Sequence, residues 1–362
     1  MISIRNLSID LDEFHLKDIS LDIEAGEYMV LLGPTGAGKT VLVECVVGIQ
    51  EPKSGRIFID EEDVTPLYPE ERHVGYVPQD YALFPNLTVR ENLEYGLDAK
   101  DVEPGEKKGL VDSMMEELGI DSLHYRYPLH LSGGERQRVA LGRSLITDPR
   151  ILLLDEPLSA LDENLRAELA QQLRRVQKAR GGTFLHVCHN FEEAAELADR
   201  VAIMNEGRVV QVASISEILE KPKNLFVARF SRCRNFYSAQ SKGRGDEGSD
   251  LTLPGGKRLE SSYASVSGAL TVAIRPEDVQ IQGHCLSREV PAANSEKAKT
   301  PGDVNRIFVE VERVKEKLTH SELHCRGEID MVVYLRSGNG RAWESAKLEL
   351  FIPPDKVKLF PC

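Results

Sequence analysis

No run of about 18 apolar residues occurs in this 362-residue chain, so no segment reads as a membrane-spanning helix. The opening Met1-Ile2-Ser3-Ile4-Arg5 carries no apolar export segment, and the chain is expected to be neither secreted nor membrane-spanning by itself. Positive charge is short as well: 45 Lys and Arg stand against 58 Asp and Glu, a formal net charge of -13. That balance argues against a nucleic-acid partner held on a basic surface. Cysteine is sparse. Cys45, Cys188, Cys233, Cys285, Cys325 and Cys362 are scattered without the paired spacing of a metal site. Cys45 and Cys188 lie in apolar segments and read as buried thiols, which fits a reducing cytoplasm. No internal repeat is evident.

What is present begins with Gly33-Pro34-Thr35-Gly36-Ala37-Gly38-Lys39-Thr40, between the apolar runs Tyr28 to Leu32 and Val41 to Val43. This is strand, glycine loop, helix. Residues without a Cβ let successive backbone N–H groups point at a polyphosphate. Lys39 then neutralises the outer phosphates and the Thr40 hydroxyl is placed to ligate Mg²⁺. The helix N-terminus adds partial positive charge beneath them. A glycine-rich turn with a solvated lysine is the plain alternative, and the full eight-residue pattern in this context disfavours it. Taken alone the stretch says P-loop nucleotide binder, nothing narrower.

The length favours two domains. Apolar pulses up to residue 32 predict strands, and the segment after Thr40 to Val47 is apolar on nearly every side, as in a helix buried between layers. Arg56 to Ile59 and Val74 to Gln79 read as short strands, and from about residue 80 to 145 the pattern is helical. Ile151-Leu152-Leu153-Leu154-Asp155-Glu156 predicts a central parallel strand buried on both faces. Asp162 is expected to cap the next helix, and Asn190 with Glu193 to cap and box the helix after His189. Val201 to Val212 reads as a hairpin, and Ser214 with Glu217 boxes a further short helix. Beyond about residue 230 the texture changes. Polar stretches at 243–250 and 287–305 alternate with strand-like pulses at 270–274, 279–281, 307–311, 329–335 and 347–352. A boundary near residue 230 is expected, with a small all-β domain after it.

Leu131-Ser132-Gly133-Gly134-Glu135-Arg136-Gln137 offers a second anion cradle at a helix start. Here the sequence resembles the ATP-binding-cassette ATPases, over residues 1 to about 230 and in six ordered elements. The resemblance implies that residues 131–137 are the signature facing the P-loop of a partner subunit. It implies that Gln79 senses Mg²⁺ and the attacking water, that Asp155 holds Mg²⁺ and that Glu156 is the general base. Ser159-Ala160-Leu161-Asp162 corresponds to the loop crossing the dimer interface, and His189 to the histidine at the γ-phosphate. A polar strand end, a turn glutamine and a structural histidine would each be ordinary alone. Their order is what reverses that. One departure is visible: the aromatic that stacks on adenine in this family is replaced near Asp10 to Asp12 by Leu11, with Phe14 close by, which puts base selectivity in question.

The implied mechanism is a head-to-tail homodimer that sandwiches two ATP molecules and drives an integral membrane permease from the cytoplasmic face, indirectly served by an extracytoplasmic substrate-binding protein. Residues 80–93, with Tyr81, Leu83, Phe84, Pro85 and Leu87, read as an exposed apolar cluster for the permease or as helical-subdomain core. Val272 to Asp278 looks like a motif of the accessory β domains of maltose, sulfate and molybdate importer ATPases. The whole chain looks most like the molybdate/tungstate group, to which Arg234-Asn235 also points. The implied architecture is therefore an α/β ABC ATPase domain, 1–230, followed by an OB-like or molybdate-binding-like regulatory domain, 231–362. An oxyanion sensor there would draw on Arg234, Asn235, Arg313, Lys315, Lys317, Thr319 and Ser321. Sulfate, polyamine or sugar import, a soluble non-transport ABC ATPase, and a module holding ATP only structurally are the alternatives. The presence of Glu156 and His189 opposes the last.

Overall fold

The computed structural model describes residues 1–362 except 12–13, 99–101, 160, 245–247, 265–266, 286–302, 318, 337–342 and 362. Asp12, Ala160, Cys362 and most of the polar stretch at 287–305 thus lie outside the described residues. The chain forms two compact units, Met1–Lys221 and Pro222–Cys362.

Among the described residues the first unit holds two sheets. The strands β1 (Ile2–Leu11), β2 (Phe14–Ile23), β3 (Tyr28–Leu32), β4 (Ser54–Ile59) and β5 (Glu62–Asp63) flank the helix α1 (Lys39–Val47). β2, β1, β4 and β5 make an antiparallel sheet in that order. Alternating burial along β1 and β2 sends Ile2, Ile4, Leu7 and Ile9 to the core, where Leu42, Val43 and Val46 of α1 meet them. After β6 (Gly75–Val77) come three helices of a helical region, α2 (Val89–Asp98), α3 (Pro104–Glu117) and α4 (Gly133–Leu145). The chain then alternates β7 (Ile151–Asp155), α5 (Glu163–Arg180), β8 (Thr183–Cys188) and α6 (Phe191–Leu197), and ends the unit with β9 (Arg200–Asn205), β10 (Arg208–Ala213) and α7 (Ile215–Glu220).

The second sheet runs β10-β9-β3-β8-β7-β6, parallel from β9 to β6. Every residue of β3, β7 and β8 is buried. β7 nevertheless stands next to the edge strand, with β3 and β8 in the middle; layers on both faces, not a central place, account for its unbroken aliphatic run. The order reverses beside β3, and the crevice at the carboxyl ends of the strands at such a switch is where open α/β sheets bind ligands.

The second unit opens with α8 (Leu225–Phe230), ahead of the expected boundary. Ala228 of that helix packs with Cys233, Ala273 and Phe360, so it belongs to the β unit. There β11 (Asn235–Gly243), β12 (Ser249–Thr252), β13 (Arg258–Ser261) and β14 (Gly268–Ile274) precede β15 (Gln280–Cys285), β16 (Arg306–Glu316), β17 (His320–Gly327), β18 (Met331–Arg336), β19 (Lys347–Phe351) and β20 (Lys358–Pro361). They form two five-stranded sheets, β13-β12-β11-β14-β20 and β15-β19-β16-β17-β18. One apolar core joins them, with Leu259, Val272 and Ile274 from one sheet and Ile307, Leu323, Val333 and Leu350 from the other.

Candidate ATP site

β3 runs into the phosphate loop. A Cβ on Gly33 would lie 2.4 Å from the Met204 carbonyl oxygen, so only glycine lets the chain leave the sheet here. Gly38, the residue before α1, has φ 97°, and a Cβ there would meet the Phe14 ring at 2.4 Å. Ala37 N–H closes the turn on the Pro34 carbonyl, leaving Thr35 and Gly36 exposed at the crest. Lys39 reaches back along the loop, its Nζ donating to the carbonyls of Gly33 and Pro34 at 3.0 Å each. Burial lowers its pKa from the ordinary 10.5, opposed by the charge of Glu156.

One residue on, the Thr40 hydroxyl donates to Asp155 Oδ1 at 3.1 Å. Asp155 ends β7 and is 2% exposed; burial raises its pKa, and the Thr40 bond opposes that. Glu156 then turns left-handed, φ 46°, a conformation that costs energy in any residue but glycine. Its N–H donates to the Val187 carbonyl of β8, and its carbonyl accepts from the Ser159 hydroxyl at 2.9 Å. Its carboxylate lies 3.5 Å from Nδ1 of His189, the residue just past β8. Gln79 is exposed in the turn after β6, whose last residue, Val77, pairs with Leu154 of β7. The P-loop, Asp155, Glu156, His189 and Gln79 all leave carboxyl ends of neighbouring parallel strands.

The signature opens α4. Ser132 Oγ accepts from the Glu135 N–H at 3.3 Å, and the Glu135 carboxylate accepts from the Ser132 N–H at 2.7 Å. This is a reciprocal capping box, readable in Ser-Gly-Gly-Glu yet not taken from it. Ser132 remains exposed and Gly133 half-exposed. Asp162 caps α5 by accepting from the Leu165 N–H at 3.0 Å. Arg166, which no sequence pattern singled out, donates to the Leu161 carbonyl at 2.8 Å and so fastens the turn leading away from Glu156.

Segment 80–93 is less exposed than its letters suggest. Tyr81 and Leu93 are buried, Leu83, Phe84 and Leu87 half-buried, and Pro85 exposed. Tyr81 and Ala82 both have positive φ, and Arg143 holds this turn by donating to their carbonyls at 3.1 and 2.7 Å. Asn92 binds both the N–H and the carbonyl of Phe84, and the Phe84 ring lies 4.3 Å from that of Tyr95, which is 53% exposed. At the other end of the site Leu11 pairs with Phe14 across β1 and β2, and both are half-buried. Phe14 is thus the aromatic against the P-loop.

The oxyanion residues fall into two groups. Arg234 and Asn235 line a cavity of about 270 Å³ together with Glu312, His324 and Asp330. Asn235 is engaged there: its amide donates to the Val332 carbonyl at 2.9 Å and accepts from the Val332 N–H at 2.7 Å, clipping β11 to β18. Arg313, Lys315, Lys317, Thr319 and Ser321 stand on the β16–β17 hairpin and do not line that cavity. Ser321 is buried, whereas Arg313, Lys317 and Thr319 are exposed. The structure therefore does not gather the set around one cavity.

Residues 16–159 match the family model described as ABC transporter. The molybdate/tungstate import ATP-binding protein WtpC of Thermococcus kodakarensis is 41% identical over 307 residues, 85% of this chain and 90% of its own length. The chain belongs to the ABC transporter ATP-binding proteins. It is also 39% identical over 297 residues to the sulfate/thiosulfate import ATP-binding protein CysA 2 of Agrobacterium fabrum, 81% of this chain and 84% of that one. Among solved structures it is similar to the dimeric ATP-binding cassette MJ0796 bound to ADP and Pi, with TM-score 0.55 and 27% identity over 59% of this chain and 98% of that chain. This ABC protein is an ATPase of the import class, its cassette followed by an all-β domain. No helix among its described residues is long and apolar enough to cross a membrane.

Proposed function

We propose that this protein hydrolyses ATP as a homodimer at the cytoplasmic face of the membrane and thereby energises a permease for molybdate or tungstate. The observation that carries the ATPase part is the meeting, at the carboxyl ends of neighbouring parallel strands, of the Thr40–Asp155 bond and the Glu156–His189 pair. Lys39 would neutralise the outer phosphates. Glu156 would take the proton of the attacking water, and its rigid left-handed turn fixes where that carboxylate stands. His189, ranged against Glu156, would hold the γ-phosphate side of the site. The hydroxyl, carboxylate and amide oxygens of Thr40, Asp155 and Gln79 are hard donors and suit Mg²⁺, which when bound neutralises charge developing on the phosphates. The exposed Ser132 and half-exposed Gly133 are available to a partner's nucleotide, and the dimeric state of the similar MJ0796 cassette supports that arrangement.

The choice of oxyanion rests on the WtpC relative, with the sulfate relative supporting a second reading. We assign residues 222–362 a regulatory role. The test is ATP hydrolysis by the chain reconstituted with its permease and titrated with molybdate, tungstate and sulfate on the cytoplasmic side. Inhibition by molybdate or tungstate alone is the expected result. Inhibition by sulfate alone would favour the second reading, and indifference to all three would remove the sensor.

A further inference from the structure

His189 sits in the short connection between β8 and α6, and the polar groups that fix this connection lie beneath it. His186 of β8 is fully buried. Its Nδ1 is 2.9 Å from the Tyr28 hydroxyl of β3, and its Nε2 is 2.9 Å from Oε1 of Glu193 of α6. Glu193 was expected to box the helix start; instead Asn190 caps it alone, through the Glu192 N–H at 2.8 Å, and Glu193 turns inward with its side chain 7% exposed. Burial holds the Tyr28 hydroxyl protonated, its pKa well above the ordinary 10.0. In the tautomer with the proton on Nε2, Tyr28 donates to His186 and His186 faces the Glu193 carboxylate. The Tyr28 backbone is fixed in turn: its N–H donates to Asp199 at 2.9 Å, and Asp199 pairs with Arg174.

We propose that Tyr28, His186 and Glu193 are positioning residues that set His189 against the γ-phosphate. The inference rests on the reading of His189 given above. Each group belongs to an element next to the chemistry. β3 delivers the P-loop, β8 delivers His189, and α6 begins just after it. The three-membered chain therefore fixes the site histidine relative to the phosphate loop from below. Stability alone does not require such a chain, because apolar residues of similar volume commonly serve a core as well as a buried polar set. Buried polar groups packed this closely, one hydrogen bond and one 2.9 Å charge approach, do restrict the geometry, and α6, with seven residues, is too short to hold its own orientation.

The test uses the full chain and compares kcat and KM for ATP in Glu193→Ala, Glu193→Gln, Tyr28→Phe and His189→Ala, singly and with His189→Ala as background. Glu193→Ala should lower kcat about tenfold or more with KM held within about threefold. Glu193→Gln, which keeps an oxygen of the same reach against His186, should restore most of the rate. In the His189→Ala background the same substitutions should change kcat by less than about twofold, since nothing remains to be positioned. Unchanged kcat in Glu193→Ala, or an equal fold loss in both backgrounds, would overturn the inference. If Glu193→Ala does not fold, Tyr28→Phe, which removes one hydroxyl, carries the same comparison. Full kcat in His189→Ala alone would refute the reading of His189 itself, a result distinct from failure of its supports.

Discussion

Glu156, the proposed base, has a fixed backbone and a half-buried carboxylate ranged against His189. Its φ of 46° is held by bonds from its N–H and to its carbonyl, so the side chain leaves the strand end at a set angle. Asp155 beside it has the opposite character, buried and bonded to Thr40. The letters Asp-Glu after four aliphatics expose this division only through resemblance, because nothing in composition says which carboxylate faces out. Other residue-scale features were legible and overlooked: Ser132 and Glu135 carry the spacing of a capping box. Arg166 left no signal, since its work is done by donating to a carbonyl. Where the resemblance places the base, Leu11 and Phe14 would offer aliphatic and phenyl surface without donors or acceptors, and such surface discriminates purines weakly. GTP should thus support turnover with kcat/KM within about tenfold of ATP, measured by phosphate release. A strict ATP preference would contradict it.

Elements with strong patterning were read closely. The apolar run of β3 and the continuous aliphatic run of β7 correspond to wholly buried strands. Several strands escaped, among them β11, β12, β13 and β17, which mix small or polar residues with apolar ones at their buried positions. β11 turns Asn235, Ala239 and Ser241 inward, and β17 turns Ser321, Leu323 and Cys325. Such a face has the period of a strand without its hydrophobicity. The end of α1 depends on a device no pattern announces. The buried Arg72 guanidinium donates to the carbonyls of Cys45 and Val46 in the last turn, and to those of Leu67 and Thr65. It closes the carboxyl end of the helix that carries Lys39. Arg72→Ala leaves those acceptors buried and should lower unfolding stability by about 3 kcal/mol. Arg72→Lys, lacking the planar fork, should recover only part of it. A denaturant midpoint unchanged in Arg72→Ala would show that the carbonyls find other partners.

At the scale of the molecule, the cassette was readable because its motifs, apart from the signature that opens α4, stand at the carboxyl ends of neighbouring parallel strands, a demand that fixes their order in the sequence. The β unit has no such demand among the described residues. Arg275, within the stretch that resembles a motif of importer accessory domains, serves as a buried tie, donating to the Ser231 carbonyl and hydroxyl at 2.6 Å. Asn235 is likewise a clip between strands, so neither residue of these two short motifs reads as a ligand from its letters alone. The proposal that joins the scales is hydrolysis in a closed dimer, with Glu156 as base and the signature supplied across the interface. The most direct measurement compares wild type and Glu156→Gln for ATP hydrolysis and for sedimentation with Mg²⁺ and ATP. The expected result for Glu156→Gln is turnover lowered about a hundredfold or more with an ATP-dependent dimer retained. Undiminished turnover, or a species that stays monomeric with ATP, would contradict it.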